Sequence, residues 1–245
     1  MKYWEAMNGP RFAFVTGAGR GLGREIASAL AGPCAGVAVH FRGDRAAAEE
    51  SAQRIKEKGA ASTVVQADLT REDEAAAAVG EAERVFGRLD ILVNNVGPIL
   101  IKPWAETSIA DWEGMLRANV GCALASMKAA LPGMRARGWG RVINIGYSRA
   151  EQLVAFPTIA PYAAAKTCLL ILTRTAAVSE AGSGVTVNMV SPGLLEESIL
   201  PSQGKVDRRF VGKFSDVAAA VVFLASEDAH AVTGTNLVVA GAWKM

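Results

Sequence analysis

The 245-residue sequence predicts an α/β fold: a single domain built on a doubly wound parallel sheet of about seven strands, with helices on both faces. Three observations predict it. Short β-branched runs alternate with longer alanine-rich stretches along the whole chain, the rhythm of buried parallel strands and crossover helices. The chain is 51% hydrophobic and 20% charged, enough to bury a continuous core at a length that one α/β domain routinely reaches. No Pro/Ser-rich linker, repeat or composition break divides residues 11–245, so a short tail, residues 1–10, precedes one domain.

The elements follow in order. Phe12 to Thr16 forms the first strand, and a glycine-rich turn leads into helical spacing over Leu22 to Ala31. Gly36 to Phe41 and Ser62 to Gln66 form the next two strands, separated by a helix over Arg45 to Lys58. The helix from Arg71 to Phe86 contains the run Ala75 to Ala78, which alanine's high helix propensity explains without a functional role. Strands then fall at Ile91 to Asn94, Arg141 to Ile145, Thr186 to Val190 and Leu237 to Val239. Between them lie helices over Ile109 to Ala136, Ala160 to Glu180 and Asp216 to Ala225.

Composition excludes several functions. With 26 Lys and Arg against 24 Asp and Glu, the net charge is +2, and no basic stripe offers a surface for nucleic acid. The longest apolar run, Val217 to Ala225, is far short of the ~20 residues that span a bilayer. The segment MKYWEAMNGP lacks the apolar centre of a signal sequence, so a cytoplasmic protein with no membrane partner is expected. Cys34, Cys122 and Cys168 share no metal-ligand spacing, and His40 and His230 lie far apart, so no metal is expected and both imidazoles read as incidental. No Gly-x-Ser-x-Gly elbow points to hydrolysis.

The chemistry starts after the first strand, at Thr16-Gly17-Ala18-Gly19-Arg20-Gly21-Leu22-Gly23. Glycines between a strand and a helix let the backbone approach a pyrophosphate while the helix amino terminus presents free N–H groups to it. The second strand closes on Phe41 and not on the carboxylate that would repel a 2′-phosphate, and Arg42 follows, with Arg20 in the loop. Two guanidiniums suit that phosphate, which favours NADP(H). As bland alternatives, Arg42 and Arg45 read as solvated loop charges and Asp68 as a helix cap.

Tyr162 and Lys166, four apart in a helical pattern, project from one helix face. A phenol, with a pKa near 10, becomes useful at neutral pH only if an ammonium holds the phenolate; lowering it by ~3 units takes roughly 4 kcal/mol.

With Asp68-Leu69, Asn94-Asn95-Val96-Gly97, Asn119 and Asn188-x-x-Ser191-Pro192-Gly193, these motifs resemble the short-chain dehydrogenase/reductase family, most closely its 3-oxoacyl-acyl carrier protein reductase type, over nearly the whole chain. The resemblance implies a Rossmann-like fold. It implies that Gly17, Gly19, Arg20, Gly21, Leu22 and Gly23 bind the pyrophosphate side of NADP(H), with Arg42 at the 2′-phosphate and Asp68 and Leu69 at the adenine. Asn95, Val96 and Gly97 then pass beneath the cofactor, and Pro192 and Gly193 lie near its nicotinamide; the family usually has Ala where this chain has Val96. Tyr162 transfers the proton, Lys166 binds the ribose and lowers the phenol's pKa, and Asn119 completes the catalytic group.

Two departures stand out. The family's catalytic serine position falls on Tyr147, with Ser148 next and a longer connection to Tyr162. Ser148 is expected to swing inward as the substitute hydroxyl, with Tyr147 as its competitor, and both to face the substrate. Leu194-Leu195-Glu196-Glu197 replaces the usual threonine-containing stretch, with Ser198 as a substitute. The lid from Ser198 to Phe210 is short and carries Lys205, Arg208 and Arg209, which suits a bulky or carrier-bound carbonyl substrate.

The expected function is NADP(H)-dependent hydride transfer between nicotinamide and a carbonyl or secondary alcohol, including 3-oxoacyl thioesters. The second reading is a cofactor-binding module with impaired catalysis. The resemblance also implies a homodimer or homotetramer that pairs the helices Ile109 to Ala136 and Ala160 to Glu180.

Overall fold

A computed structural model describes residues 9–198 and 211–241. Most of the expected tail, and the greater part of the expected lid with Lys205, Arg208 and Arg209, lie outside the described residues.

The elements are β1 (Phe12–Val15), α1 (Gly21–Leu30), β2 (Gly36–Phe41), α2 (Arg45–Glu57), β3 (Ala61–Gln66), α3 (Glu72–Phe86) and β4 (Ile91–Asn94). Next come α4 (Ile109–Leu116), α5 (Cys122–Ala136), β5 (Gly140–Ile145), α6 (Ala160–Ser179), β6 (Val185–Pro192), α7 (Phe214–Leu224) and β7 (Asn236–Val239). The strands pair in parallel in the order β3-β2-β1-β4-β5-β6-β7. Chain order reverses between β1 and β4, and such a switch point opens a crevice beyond the carboxyl ends of the strands.

Strand residues alternate between two cores. Val15, Val39, Val93 and Ile143 point to one face, where Ile26 and Leu30 of α1, Ile55 of α2 and Val217 and Val221 of α7 cover them. Phe14, Ala38, Leu92 and Val142 point to the other, under Ala78 and Val79 of α3, Met127 and Met134 of α5 and Ala177 of α6. Burial on both faces explains why these strands carry apolar residues on both sides and not a regular polar alternation, with His40, Asn94, Arg141 and Asn144 as buried polar exceptions.

Two elements differ from expectation. The single helix expected over Ile109 to Ala136 is divided by a π-helical turn, Arg117–Gly121, between α4 and α5. One extra residue per turn rotates Asn119 inward, where it is fully buried, and such single-turn bulges recur at functional positions. β6 runs two residues beyond Val190 to Pro192, because β7 pairs with it through Ser191↔Val238 and Pro192↔Val239.

Candidate active site

The glycine loop turns between β1 and α1. Gly17 (φ +63°) and Gly21 (φ +54°) take the left-handed conformation that side chains disfavour. A Cβ on Gly23 would stand 2.3 Å from the Gly17 carbonyl oxygen and 2.6 Å from Asn95 Nδ2, so only glycine lets α1 close on the loop. Thr16 Oγ1 accepts the Asn95 and Val96 N–H groups at 2.8 and 3.0 Å, and Asn95 Nδ2 donates to the Thr16 carbonyl at 2.9 Å. Asn95 therefore braces the loop as well as lining the space beside it.

That space is a groove of about 440 Å³ at the switch point. Gly17, Arg20, Leu22 and Gly23 line it from the loop, Arg42, Asp68 and Leu69 from the ends of β2 and β3, and Asn95, Val96 and Gly97 from the end of β4. Gly19 faces the backbone of α2, and its carbonyl accepts the Arg24 guanidinium. Pro192 and Gly193 sit at the end of β6, where the Pro192 carbonyl accepts the Ser148 N–H and Gly193 N–H donates to Val239.

The carboxylates near Arg42 are differently engaged. Asp44 caps α2 by accepting the Ala47 N–H at 3.0 Å, so it does not stand in for the missing acidic residue after β2. Asp68 is not the cap of α3, which begins later, at Glu72. Its Oδ1 accepts the Thr70 hydroxyl and N–H at 2.8 and 3.0 Å, and these bonds hold the carboxyl below its ordinary pKa.

His40, an imidazole that reads as incidental in the sequence, is instead buried in the wall of this groove. Its Nδ1 accepts the Gly17 N–H at 2.9 Å, which leaves Nε2–H to donate to the Ala67 carbonyl at 3.1 Å. Nothing local signals these partners.

Tyr162 and Lys166 share one face of α6. The Lys166 ammonium is buried, donates to the Ile145 carbonyl at 2.8 Å and lies 5.8 Å from the Tyr162 ring centroid; burial lowers its pKa to about 8. Burial, followed by the nearby Tyr147 phenol, raises the Tyr162 hydroxyl above its ordinary value. Desolvation thus moves the phenol in the direction opposite to the lowering expected from the ammonium.

Asn119 approaches Lys166 from the π-helical turn. Its Nδ2 donates to the Pro98 and Met115 carbonyls, both at 3.1 Å, while its buried Oδ1 has no hydrogen bond among the described residues. A Cβ on Gly97 would lie 2.5 Å from that Oδ1 and 2.6 Å from Lys166 Nζ, so glycine is required where the two approach. Behind them Asn94 Nδ2 donates to Asn144 Oδ1 and Asn144 Nδ2 to Thr173 Oγ1, each at 2.9 Å, tying β4, β5 and α6 together.

At the serine position, the Tyr147 ring stands 5.6 Å from that of Tyr162 and 6.3 Å from that of Phe156. The Arg149 guanidinium stacks over Phe156 at 4.8 Å. Ser148 is buried; its hydroxyl is shielded from solvent and makes no hydrogen bond among the described residues. The hydroxyl of Ser198, the expected substitute for the family's threonine, accepts the Leu195 N–H at 2.9 Å and closes a local turn. Glu197 Oε2 lies 3.7 Å from the point where a Gly21 Cβ would stand, placing an exposed carboxylate beside the loop.

The chain's residues fit a dinucleotide. The groove holds about 440 Å³, glycines open it at Gly17, Gly23 and Gly97, and the orphan Asn119 Oδ1 and the Lys166 ammonium adjoin it at Gly97. Among the described residues no group of three or more His, Cys, Asp or Glu is placed to hold a metal ion, and no helix is long and apolar enough to cross a membrane.

The sequence pattern of the family described as enoyl-(acyl carrier protein) reductase matches residues 17–243. A 3-oxoacyl-[acyl-carrier-protein] reductase of Staphylococcus aureus is 33% identical over 242 residues, covering 95% of this chain and 98% of that protein. Among solved structures, a blue fluorescent protein from a metagenomic library in complex with NADPH superposes with a TM-score of 0.87 at 33% identity, covering 96% of this chain and 98% of its own. A gluconate 5-dehydrogenase from Burkholderia cenocepacia in complex with NADP and tartrate superposes with a TM-score of 0.85 at 31% identity, covering 94% of each chain.

Proposed function

The chain belongs to the short-chain dehydrogenase/reductase family of oxidoreductases, and from that premise we propose that it is an NADPH-dependent reductase of apolar carbonyl compounds, acting through Tyr162. The observation that carries this reading is the approach of Lys166, itself beside the Tyr162 ring, and the unpartnered Asn119 Oδ1 to each other at Gly97, which lines the groove.

When bound, the dinucleotide supplies the hydride that reduces the carbonyl carbon. Tyr162, kept neutral by burial, donates its hydroxyl proton to the carbonyl oxygen. Lys166, anchored on Ile145, binds the ribose and stabilises the phenolate left behind. Asn119 Oδ1 faces that ammonium across Gly97 and stabilises its charge. Arg20 and Arg42 take the 2′-phosphate, while Asp68, with Oδ1 committed to Thr70, keeps Oδ2 for the adenine amine.

The second donor to the carbonyl oxygen is Tyr147. Its ring is partly exposed beside Tyr162, whereas the Ser148 hydroxyl is closed off from solvent.

The apolar substrate class rests on the loops flanking the site. Ile99, Ile101, Trp104, Leu153 and Val154 are exposed there, Leu153 to 89%, and the two loops are tied by Lys102 N–H to Thr158 and Trp104 N–H to Pro157. Large apolar side chains exposed on loops beside a site suit a binding mouth for an apolar substrate. Ile109, Ile171 and Val178, exposed on α4 and α6, offer a face through which copies of the chain pair as a homodimer or homotetramer.

The deciding experiment follows NADPH oxidation against medium-chain ketones, 3-oxoacyl thioesters, quinones, pteridines and sugar acids. Turnover of an apolar ketone or a 3-oxoacyl thioester, lost in Tyr162→Phe, is expected. Tight NADPH binding without turnover of any carbonyl favours the binding-module reading instead.

A further inference from the structure

We infer that His40 is a positioning residue for the dinucleotide, a neutral imidazole strut that holds the glycine loop against the end of β3. The inference rests on reading the groove as the cofactor site.

The ring spans the two walls of the groove. Through Nδ1 it accepts the Gly17 N–H, and through Nε2–H it donates to Ala67, the residue before Asp68. The His40 carbonyl also accepts the Ala18 N–H at 2.9 Å, so consecutive loop amides are both committed to one residue of β2. These amides follow Thr16, whose own N–H still pairs with the Val93 carbonyl of β4, and they set the direction in which the loop leaves the sheet. Phe14 of β1 packs its ring edge-on against the imidazole at 6.1 Å, which leaves His40 little freedom to turn.

The two bonds require opposite characters at the two nitrogens, an acceptor facing Gly17 and a donor facing Ala67, so only one neutral tautomer satisfies both. A proton on Nδ1 removes the acceptor and sets two N–H groups against each other. Burial already disfavours that charge and lowers the pKa below 6.5, against the opposing pull of the Ala67 carbonyl and the Asp68 carboxylate. The other titratable and charged groups lining the groove are Arg42 from the end of β2, Arg20 from the loop and the Cys122 thiol of α5, which burial keeps neutral by raising its pKa to about 11.

Because the native pKa is depressed, the strut is intact above pH 6.5. It is lost as pH falls from there through the native value. Loop geometry, and with it cofactor affinity, follows the same limb, while the proton-transfer groups on α6 are untouched.

Two polar replacements separate the bonds. In His40→Asn the amide oxygen takes the place of Nδ1 and keeps the Gly17 bond; in His40→Gln the amide nitrogen takes the place of Nε2 and keeps only the Ala67 bond. NADPH Kd is read by nicotinamide fluorescence, kcat on one active ketone, and amide hydrogen exchange at residues 17–18 in the cofactor-free protein. The expected result is a rise of about tenfold in Kd for His40→Gln with kcat nearly unchanged, and faster exchange at Gly17. His40→Asn, which keeps the Gly17 bond but gives up the Ala67 bond, is expected to raise Kd at pH 8 by less than His40→Gln does and to lose most of the acid-side rise in Kd. Any acid limb that His40→Asn retains in full belongs to the ligand's phosphate and overturns the titration of His40.

Equal Kd and equal Gly17 exchange in His40→Gln and the unmodified protein overturn the strut. If the unmodified protein binds neither NADPH nor NADH, the cofactor reading of the groove fails. Exchange at Gly17 still decides the strut in that case.

Discussion

The ring of Tyr147 stands 5.6 Å from the ring of Tyr162 at 59°, with Phe156 closing the other side at 6.3 Å. A phenol thus occupies the place where a small hydroxyl residue is usual in this family, and it narrows the pocket to an aromatic wall. Tyr147→Phe is expected to lower kcat/KM for a good ketone substrate on the order of a hundredfold, the usual cost of one preorganised donor. Ser148→Ala is expected to change it little. A large loss in Ser148→Ala alone transfers the role to Ser148, and no loss in either variant ends the idea of a substitute hydroxyl.

Lys166 is expected to set the alkaline limit of reduction. Its pKa of about 8 makes the buried ammonium abundant below that pH and scarce above it, so kcat/KM for carbonyl reduction is expected to fall as pH rises through 8. Tyr162→Phe removes most turnover at every pH while NADPH Kd stays nearly constant, because the lost hydroxyl serves the substrate. A flat profile from pH 7 to 10 contradicts the assignment.

The same burial carries a stability cost. Holding the native pKa near 8 against 10.5 disfavours the charged form; stability falls as pH drops from 10.5 to 8 and is level below, by on the order of 3 kcal/mol. Lys166→Met is therefore expected to unfold at a higher temperature than the unmodified protein at pH 7 while losing activity. Differential scanning calorimetry checks it, and a lower melting temperature refutes it.

Arg42 lines the groove with no carboxylate of its own strand to oppose it, and Asp44 is occupied as a helix cap. NADPH is expected to bind at least ~tenfold more tightly than NADH, and Arg42→Ala to remove most of that preference without weakening NADH. Fluorescence titration of both cofactors gives the ratio directly; equal affinities in the unmodified protein dismiss Arg42 from this role.

Glu197 points a carboxylate at Gly21, where the amino terminus of α1 offers its N–H groups to phosphate. Like charge opposes binding there, so Glu197→Gln is expected to tighten NADPH severalfold at low salt and less at high salt, as screening grows. Unchanged affinity at low salt indicates that the exposed side chain swings clear at no cost.

What the sequence determined by itself is whatever depends on near neighbours. Apolar runs such as Val37 to Val39 placed the strands, glycines 17, 21 and 23 marked the loop, and the four-residue spacing put Tyr162 and Lys166 on one face of α6, because backbone geometry repeats over a few residues. Tertiary structure decided what depends on residues far apart in the chain. It gave Asp44 to the helix cap and left Asp68 for the groove, turned Asn119 inward through a π-helical turn, and raised the Tyr162 phenol where local chemistry expected a fall. It also bound His40 to Gly17 and Ala67, 23 and 27 residues away. Burial and hydrogen-bond partners are properties of the packed chain, and no residue's immediate sequence neighbours specify them.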